Sequence, residues 1–200
     1  VKFFDERVSP FAGFDEGYTV GFNELHDLLP PSRNILYAVP RDIEAPKGWQ
    51  LLHGIPGLQF VYEGGAVTTP AHFALVPLGE DHIEQMVALA GLTRPGPFGT
   101  RTIDFGHYYG IFDGDRLVAM TGQRLHVHGY TEISAVCTHP EHLGKGYAAA
   151  LVQHALHIIL QQDQTPFLHV RADNHRAIQL YERLGFVLRR NMNFYVLKRG

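Results

Sequence analysis

The sequence is poor in cysteine. Cys137 is the only one in 200 residues, which excludes an internal disulfide and suits a reducing compartment. Long apolar runs are missing as well. None reaches the ~18 residues that a membrane span requires, so no membrane partner is expected. The first twenty residues have neither the basic start nor the apolar block of a signal peptide, and a cytoplasmic enzyme is the expectation. There is no basic stripe and the net charge is −3, so nucleic acid is not an expected partner. Despite 13 histidines, neither H-E-x-x-H nor a cysteine–histidine pair with zinc spacing occurs. The pairs His126/His128 and His154/His157 read, like the others, as scattered surface histidines, and no metal is expected.

What is present is an ordinary globular composition, 45% hydrophobic, able to build a full core. The length suits one domain, or a domain with a smaller companion. A boundary is placed near residue 70, with residues 1–70 as a small α/β subdomain and 71–200 as the main domain. In the first part, Val20–Leu29 reads as a short helix and Asn34–Val39 as a strand. Trp49–His53 and Leu58–Tyr62 read as two strands separated by Gly54-Ile55-Pro56-Gly57. No catalytic constellation is visible there.

The second part begins with a strand over His72–Leu78 and a helix over Gly79–Ala90, with Ile83, Met86, Val87 and Ala90 on one face. The loop Gly91–Thr100 holds several helix breakers and is a candidate cleft wall. His107–Phe112 and Arg116–Leu125 flank Asp113-Gly114, a hairpin signal. Beyond the next helix, Pro166 reads as a break before a strand over Phe167–Arg171. Asn174–Leu184 reads as a helix capped by Asn174 or Asp173 and ended by Gly185. Phe186–Arg190 and Phe194–Lys198 read as a last hairpin around Asn191-Met192-Asn193. A mixed sheet with helices on both faces follows; strand order does not.

The organising stretch is Tyr130–Ala148, Y-T-E-I-S-A-V-C-T-H-P-E-H-L-G-K-G-Y-A. Its first nine residues have strand composition. Gly144, Lys145 and Gly146 form a glycine turn, and Tyr147–Leu160 has helical spacing. Bare amides at a helix start, with the positive end of its dipole, suit an anion such as a diphosphate. The dinucleotide fingerprint fails, since Ala149 stands where its third glycine belongs, and no phosphate-loop motif occurs.

Leu143-Gly144-Lys145-Gly146-Tyr147-Ala148 resembles motif A of the GNAT acyltransferase superfamily, [QR]-x-x-G-x-[GA], with Leu143 in place of the usual Arg or Gln. The run Asp173–Phe186 resembles motif B through Asn174, Ala177, Tyr181, Gly185 and Phe186. The wording S-A-V-C-T-H-P and F-L-H-V-R-A-D-N is similar to the glycine-N-acyltransferase-like branch, in which a degenerate half-domain precedes the catalytic one. The resemblance implies the GNAT fold: an α/β domain with a mixed, mostly antiparallel sheet. It implies acetyl-CoA as co-substrate and a small-molecule, amino-acid or peptide amine as acceptor, joined by direct attack in a ternary complex. It assigns the pantetheine arm to Val136, Cys137 and Thr138, beside strands that splay apart. The diphosphate falls to Leu143, Gly144, Lys145, Gly146, Tyr147 and Ala148. Asn174, Ala177 and Tyr181 complete the cofactor side.

For catalysis, Glu132 is the candidate base. It lies eleven residues before Leu143, the offset at which histone-type members carry theirs, and partial burial would raise its pKa. Tyr181 is the candidate acid for the leaving thiolate, and amides around Val136–Thr138 are candidates to polarise the thioester carbonyl. Cys137, inside a strand, reads as a buried hydrophobe rather than a nucleophile. A catalytically silent CoA-binding module is the alternative, and a homodimer stays open.

Overall fold

The computed structural model describes residues 1–67 and 73–200. The boundary expected near residue 70 and the strand start expected at His72 lie outside the described residues. A short ribbon, β1 (Lys2–Phe3) with β2 (Ala12–Gly13), precedes an eight-stranded sheet. That sheet runs β3 (Asn34–Val39), β10 (Phe186–Arg199), β4 (Trp49–Tyr62), β9 (Thr165–Arg171), β8 (Tyr130–Thr138), β7 (Arg116–Val127), β6 (Tyr109–Asp113), β5 (Val76–Pro77). Only β8 and β9 pair in parallel; every other neighbour is antiparallel. This is the mixed, mostly antiparallel sheet that was expected.

Among the described residues, four α-helices cover it: α1 (Gly21–Leu28), α2 (Ile83–Thr93), α3 (Tyr147–Leu160) and α4 (His175–Arg183). β7 is buried at every position from Leu117 to Gln123. A strand reads that way only when both faces are covered. Leu117 and Met120 pack with Met86 and Leu89 of α2, while Val118 packs with Leu151 of α3. α3 and α4 share a further core with Phe60, Ile133, Leu168 and Phe186. Among the described residues no helix is long and apolar enough to cross a membrane.

Three local expectations are corrected. Trp49–Tyr62 is one strand of 14 residues, and so is Phe186–Arg199. The two turn-like stretches lie opposite one another, with Gly57 facing Met192, Pro56 facing Asn193, Ile55 facing Phe194 and Gly54 facing Tyr195. The glycines make room for aromatic rings. A Cβ on Gly57 would come within 2.6 Å of Phe194, and one on Gly54 within 3.0 Å of Tyr195. Pro166 lies inside β9 rather than breaking it. β4 pairs with β9 only from Phe167 onward, so the missing N–H of Pro166 is not needed on that side.

Apart from the β1–β2 ribbon, the strands of the first third join the main sheet. β3 pairs with β10, and β4 lies between β10 and β9. β10 holds both because a strand has two edges: Asn193–Lys198 pair with β3 on one and with β4 on the other.

Candidate active site

β8 and β9 run together only from Tyr130–Ile133 against Thr165–Leu168. Beyond that point β9 stays with β4 as far as Arg171, and β8 stays with β7 as far as Thr138. The strands therefore part, leaving a cleft of about 800 Å³. A bulge sharpens the parting. Met120 faces Cys137 and Gly122 faces Ser134, so Ala135 and Val136 together oppose Thr121. Ala135 has φ 53°, a left-handed conformation that costs a non-glycine residue about 1 kcal/mol or more.

Val136, Cys137 and Thr138 line the cleft as expected. Thr138 Oγ1 is buried there without a hydrogen-bond partner. Such an atom is costly unless a ligand serves it. Cys137 is also buried, and burial pushes its thiol up to about 11, against hydrogen bonds with Thr93 and Met120 that work the other way. A thiol held protonated is a poor nucleophile.

The cleft continues to the start of α3. Gly144 and Gly146 both have φ 83°, and Gly146 caps the helix with no side-chain hydrogen bond. The first amide of this helix with a main-chain acceptor is that of Ala150, bonded to Gly146 O. Among the described residues, the N–H groups of residues 144–149 thus have no protein acceptor. Leu143, Gly144, Gly146, Tyr147 and Ala148 line the cleft. Lys145 does not; its Nζ lies 3.2 Å from His142 Nδ1.

Tyr181 on α4 lines the opposite wall with Ala177 and Asn174. The Asn174 side chain caps α4 by accepting from Ala177 N–H at 3.2 Å. Tyr181 is buried, edge-on to Phe186. Burial raises its phenol well above the usual value, and the neighbouring Cys137 sulfur adds to this. The group stays an O–H donor.

Glu132 is fully buried and does not reach the cleft surface. Its carboxylate accepts from Arg124 Nε at 2.8 Å and Arg124 Nη2 at 2.5 Å. His169 Nδ1 lies 2.7 Å from the same carboxylate, and its Nε2 lies 3.0 Å from Gln59 Nε2. A polar row thus crosses four adjacent strands: Gln59 on β4, His169 on β9, Glu132 on β8, Arg124 on β7. Burial alone would raise the Glu132 carboxyl. The Arg124 charge and the hydrogen bonds from Arg124 and His169 overcome it and hold the group at about 2. The expected rise is corrected, because the partners of Glu132 outweigh its burial. What the row presents to the cleft is His169 and Arg124.

Neither of those two residues was singled out from the sequence. Arg124 carried one signal, a charge directly after the uncharged run Leu117–Gln123. His169 is the alternate-face charge-bearing position of F-L-H-V-R, visible only once β9 is known to bear on Glu132. The expected cleft loop is there: Arg94, Pro95, Gly96 and Pro97 line it. Phe11, Leu36, Ile55 and Phe194 form a wall that draws on the first third of the chain.

The reading of all histidines as surface residues is corrected at His139 and His142, which are buried. The reason is local. His139 N–H donates to Val118 O and His142 stacks on Tyr147, which draws the turn onto the sheet. With Glu141 they bring potential ligand atoms within 4.8 Å of one another. Cationic side chains already lie against both rings, Arg116 Nη2 at 2.6 Å from His139 Nε2 and Lys145 at His142.

Comparison with known proteins bears on this geometry. The family model described as FR47-like protein matches residues 108–195. A GNAT-family protein from Novosphingobium aromaticivorans is 33% identical, over 97% of this chain and 86% of its own, with a TM-score of 0.88. A GNAT-family acetyltransferase from Colwellia psychrerythraea is 14% identical, over 74% of this chain and 58% of its own, with a TM-score of 0.59. The ribosomal-protein-S18-alanine N-acetyltransferase from Escherichia coli is 17% identical, over 62% of this chain and 92% of its own, with a TM-score of 0.52. The last two likenesses show the fold. No curated protein sequence matches.

Proposed function

Because the chain belongs to the GNAT acetyltransferase family, we propose that it is an acetyl-CoA-dependent N-acetyltransferase, acting on a primary amine of a small molecule, amino acid or peptide by direct attack in a ternary complex. The observation that carries this reading is the cleft between β8 and β9, which opens beyond Ile133 and runs on to the unpartnered amides at the start of α3. Acetyl-CoA has the matching groups. Its pantetheine arm carries amides for the unpaired edge of Val136–Thr138, as an added strand would. Its diphosphate suits the helix start. When bound it supplies the thioester.

The chain's own residues then have these roles. Main-chain N–H groups at the Ala135–Val136 bulge polarise the thioester carbonyl. The amine gives up its proton to His169 at Nε2, once the Gln59 amide that lies 3.0 Å from that nitrogen turns aside, and the carboxylate of Glu132 at Nδ1 stabilises the imidazolium. Glu132 acts through His169 rather than at the amine, and is a positioning residue. Tyr181 donates its O–H to the leaving sulfur. Both expected catalytic positions keep a part in this reading.

The test is direct. Acetyl-CoA at a hundredfold excess over its dissociation constant is expected to add about 2.7 kcal/mol of stability, a rise in Tm of roughly 5–11 °C for a chain of this size. No shift at millimolar concentration sinks the cofactor reading. A shift without CoA release for any amine favours the silent binding module.

Tyr181→Phe keeps the ring and removes only the hydroxyl. Affinity for acetyl-CoA is expected to change little, while kcat falls roughly 10- to 1,000-fold. Unchanged turnover under conditions where chemistry limits the rate returns Tyr181 to the core.

A further inference from the structure

The acceptor end of the cleft is chemically one-sided. Among the described residues, the cleft is lined by arginines and histidines and by no Asp or Glu. Arg176 and Arg183 lie on α4, on the side of the cleft with Tyr181. At the other end, the guanidinium of Arg124 lies against the wall of Phe11, Leu36, Ile55 and Phe194. It lies over the Phe11 ring, 4.7 Å from its centroid.

Arg124 is held on one side only. Nε and Nη2 are bound to Glu132, but Nη1 has no hydrogen bond among the described residues. It faces Gly96 in the cleft loop, where an added Cβ would come within 3.9 Å. The Arg124 side chain is 11% exposed and Glu132 0%, so the guanidinium is fixed in orientation and largely dry. A fixed donor in such surroundings makes a stronger hydrogen bond to an anion than a solvated one.

We propose that Arg124 reads a carboxylate on the acceptor, so that the preferred substrate is an apolar amine bearing a carboxylate near its amino group. This rests on the N-acetyltransferase reading and narrows its acceptor. Nη1 takes one carboxylate oxygen, the Phe11–Phe194 wall takes the apolar part, and the amine is left facing His169, which packs on Phe194 with ring centroids 5.3 Å apart. Polycationic amines such as spermidine find no counter-charge along this lining.

The experiment compares acceptors that differ in one group: L-phenylalanine, L-phenylalaninamide and phenethylamine, each judged by CoA release per neutral amine. The carboxylate is expected to have a kcat/KM roughly 10- to 150-fold above that of phenethylamine, the scale of one charged hydrogen bond. The amide is expected to fall between them. Arg124→Lys keeps a cation beside Glu132 but loses the spare nitrogen, and the ratio between phenylalanine and phenethylamine is expected to collapse toward one within that variant. Equal or better use of phenethylamine or spermidine by the wild type overturns the proposal, as does a ratio that survives Arg124→Lys. If the variant does not fold, the wild-type ratio decides alone. Titration with N-acetyl-L-phenylalanine and with N-acetylphenethylamine separates this proposal from the enzymatic one. A preference of tenfold or more for the carboxylate supports carboxylate reading even without turnover, and no preference overturns it whatever the turnover.

Discussion

Glu132→Gln is expected to damage both stability and transfer. Gln is nearly isosteric with Glu, so the loss is one of charge. It leaves the Arg124 guanidinium buried beside a neutral amide. Removing one partner of a buried ion pair typically costs about 3–5 kcal/mol, a fall in Tm of roughly 6–20 °C. Transfer is expected to drop by roughly 100- to 10,000-fold in kcat/KM, because the imidazolium of His169 loses its carboxylate. A second readout separates positioning from mere instability. The rate loss in folded Glu132→Gln is expected to be smallest for amines of low pKa, which arrive already neutral. A folded variant with a full rate, or with an equal loss for every amine, removes Glu132 from the mechanism. His169→Gln is the companion and is expected to lose transfer with less effect on Tm.

The same carboxylate sets an acid limit. Its folded value, about 2, lies below the ordinary 4.5. The unfolded chain therefore binds the proton first as pH falls. Stability from this group is complete above pH 4.5 and is lost between there and about pH 2. The size is about 3 kcal/mol. Thermal melts across that window are expected to fall more steeply for wild type than for Glu132→Gln, which has no such group to protonate. Parallel curves contradict the assignment.

Gly146→Asp is expected to abolish the thermal shift given by acetyl-CoA. The position caps the start of α3, and among the described residues a Cβ placed there meets only Phe73 Cζ at 3.8 Å, an ordinary contact that leaves room for the side chain. The φ of 83° is strained for most residues, but Asp and Asn tolerate it better than others. Asn is therefore the control, with the same shape and the same strain. A carboxylate some 4 Å from a phosphate is repelled by about 4 kcal/mol at a surface-like effective dielectric, and would weaken binding by on the order of 100- to 1,000-fold. Asn is expected to keep most of the shift. If Asp and Asn behave alike, backbone strain rather than charge governs the turn, and the diphosphate is held elsewhere.

Much of this chain was legible in sequence where the causes are local. β8 and α3 lie at the expected bounds, and β3 does too. Asn174 caps α4, and Gly185 ends it with φ 96°. The glycine turn was readable because its properties, positive φ and bare amides, belong to the residues that compose it. Short-range signals misled where a distant strand answers them. Gly54–Gly57 and Asn191–Asn193 have turn composition. Each stays extended because the strands lie opposite one another, with the rings of Phe194 and Tyr195 filling the space that Gly57 and Gly54 leave.

The site divides in the same way. Sequence by itself determined the glycine turn at the start of α3, and the resemblance to the family's motifs offered the candidate cofactor-side residues and the candidate acid, because each motif lies along one helix or one strand. Only the tertiary structure decided what surrounds Glu132. Its environment is set by Arg124 on one neighbouring strand and His169 on the other, and a carboxylate's proton affinity depends on charges within a few ångströms, whatever their place in sequence. It likewise took the full sheet to give residues 1–67 a role. Phe11, Leu36 and Ile55 meet the cleft because β4 pairs with β9 on one edge and with β10 on the other, and β10 in turn holds β3; strand order is a property of pairing that no single strand's sequence contains.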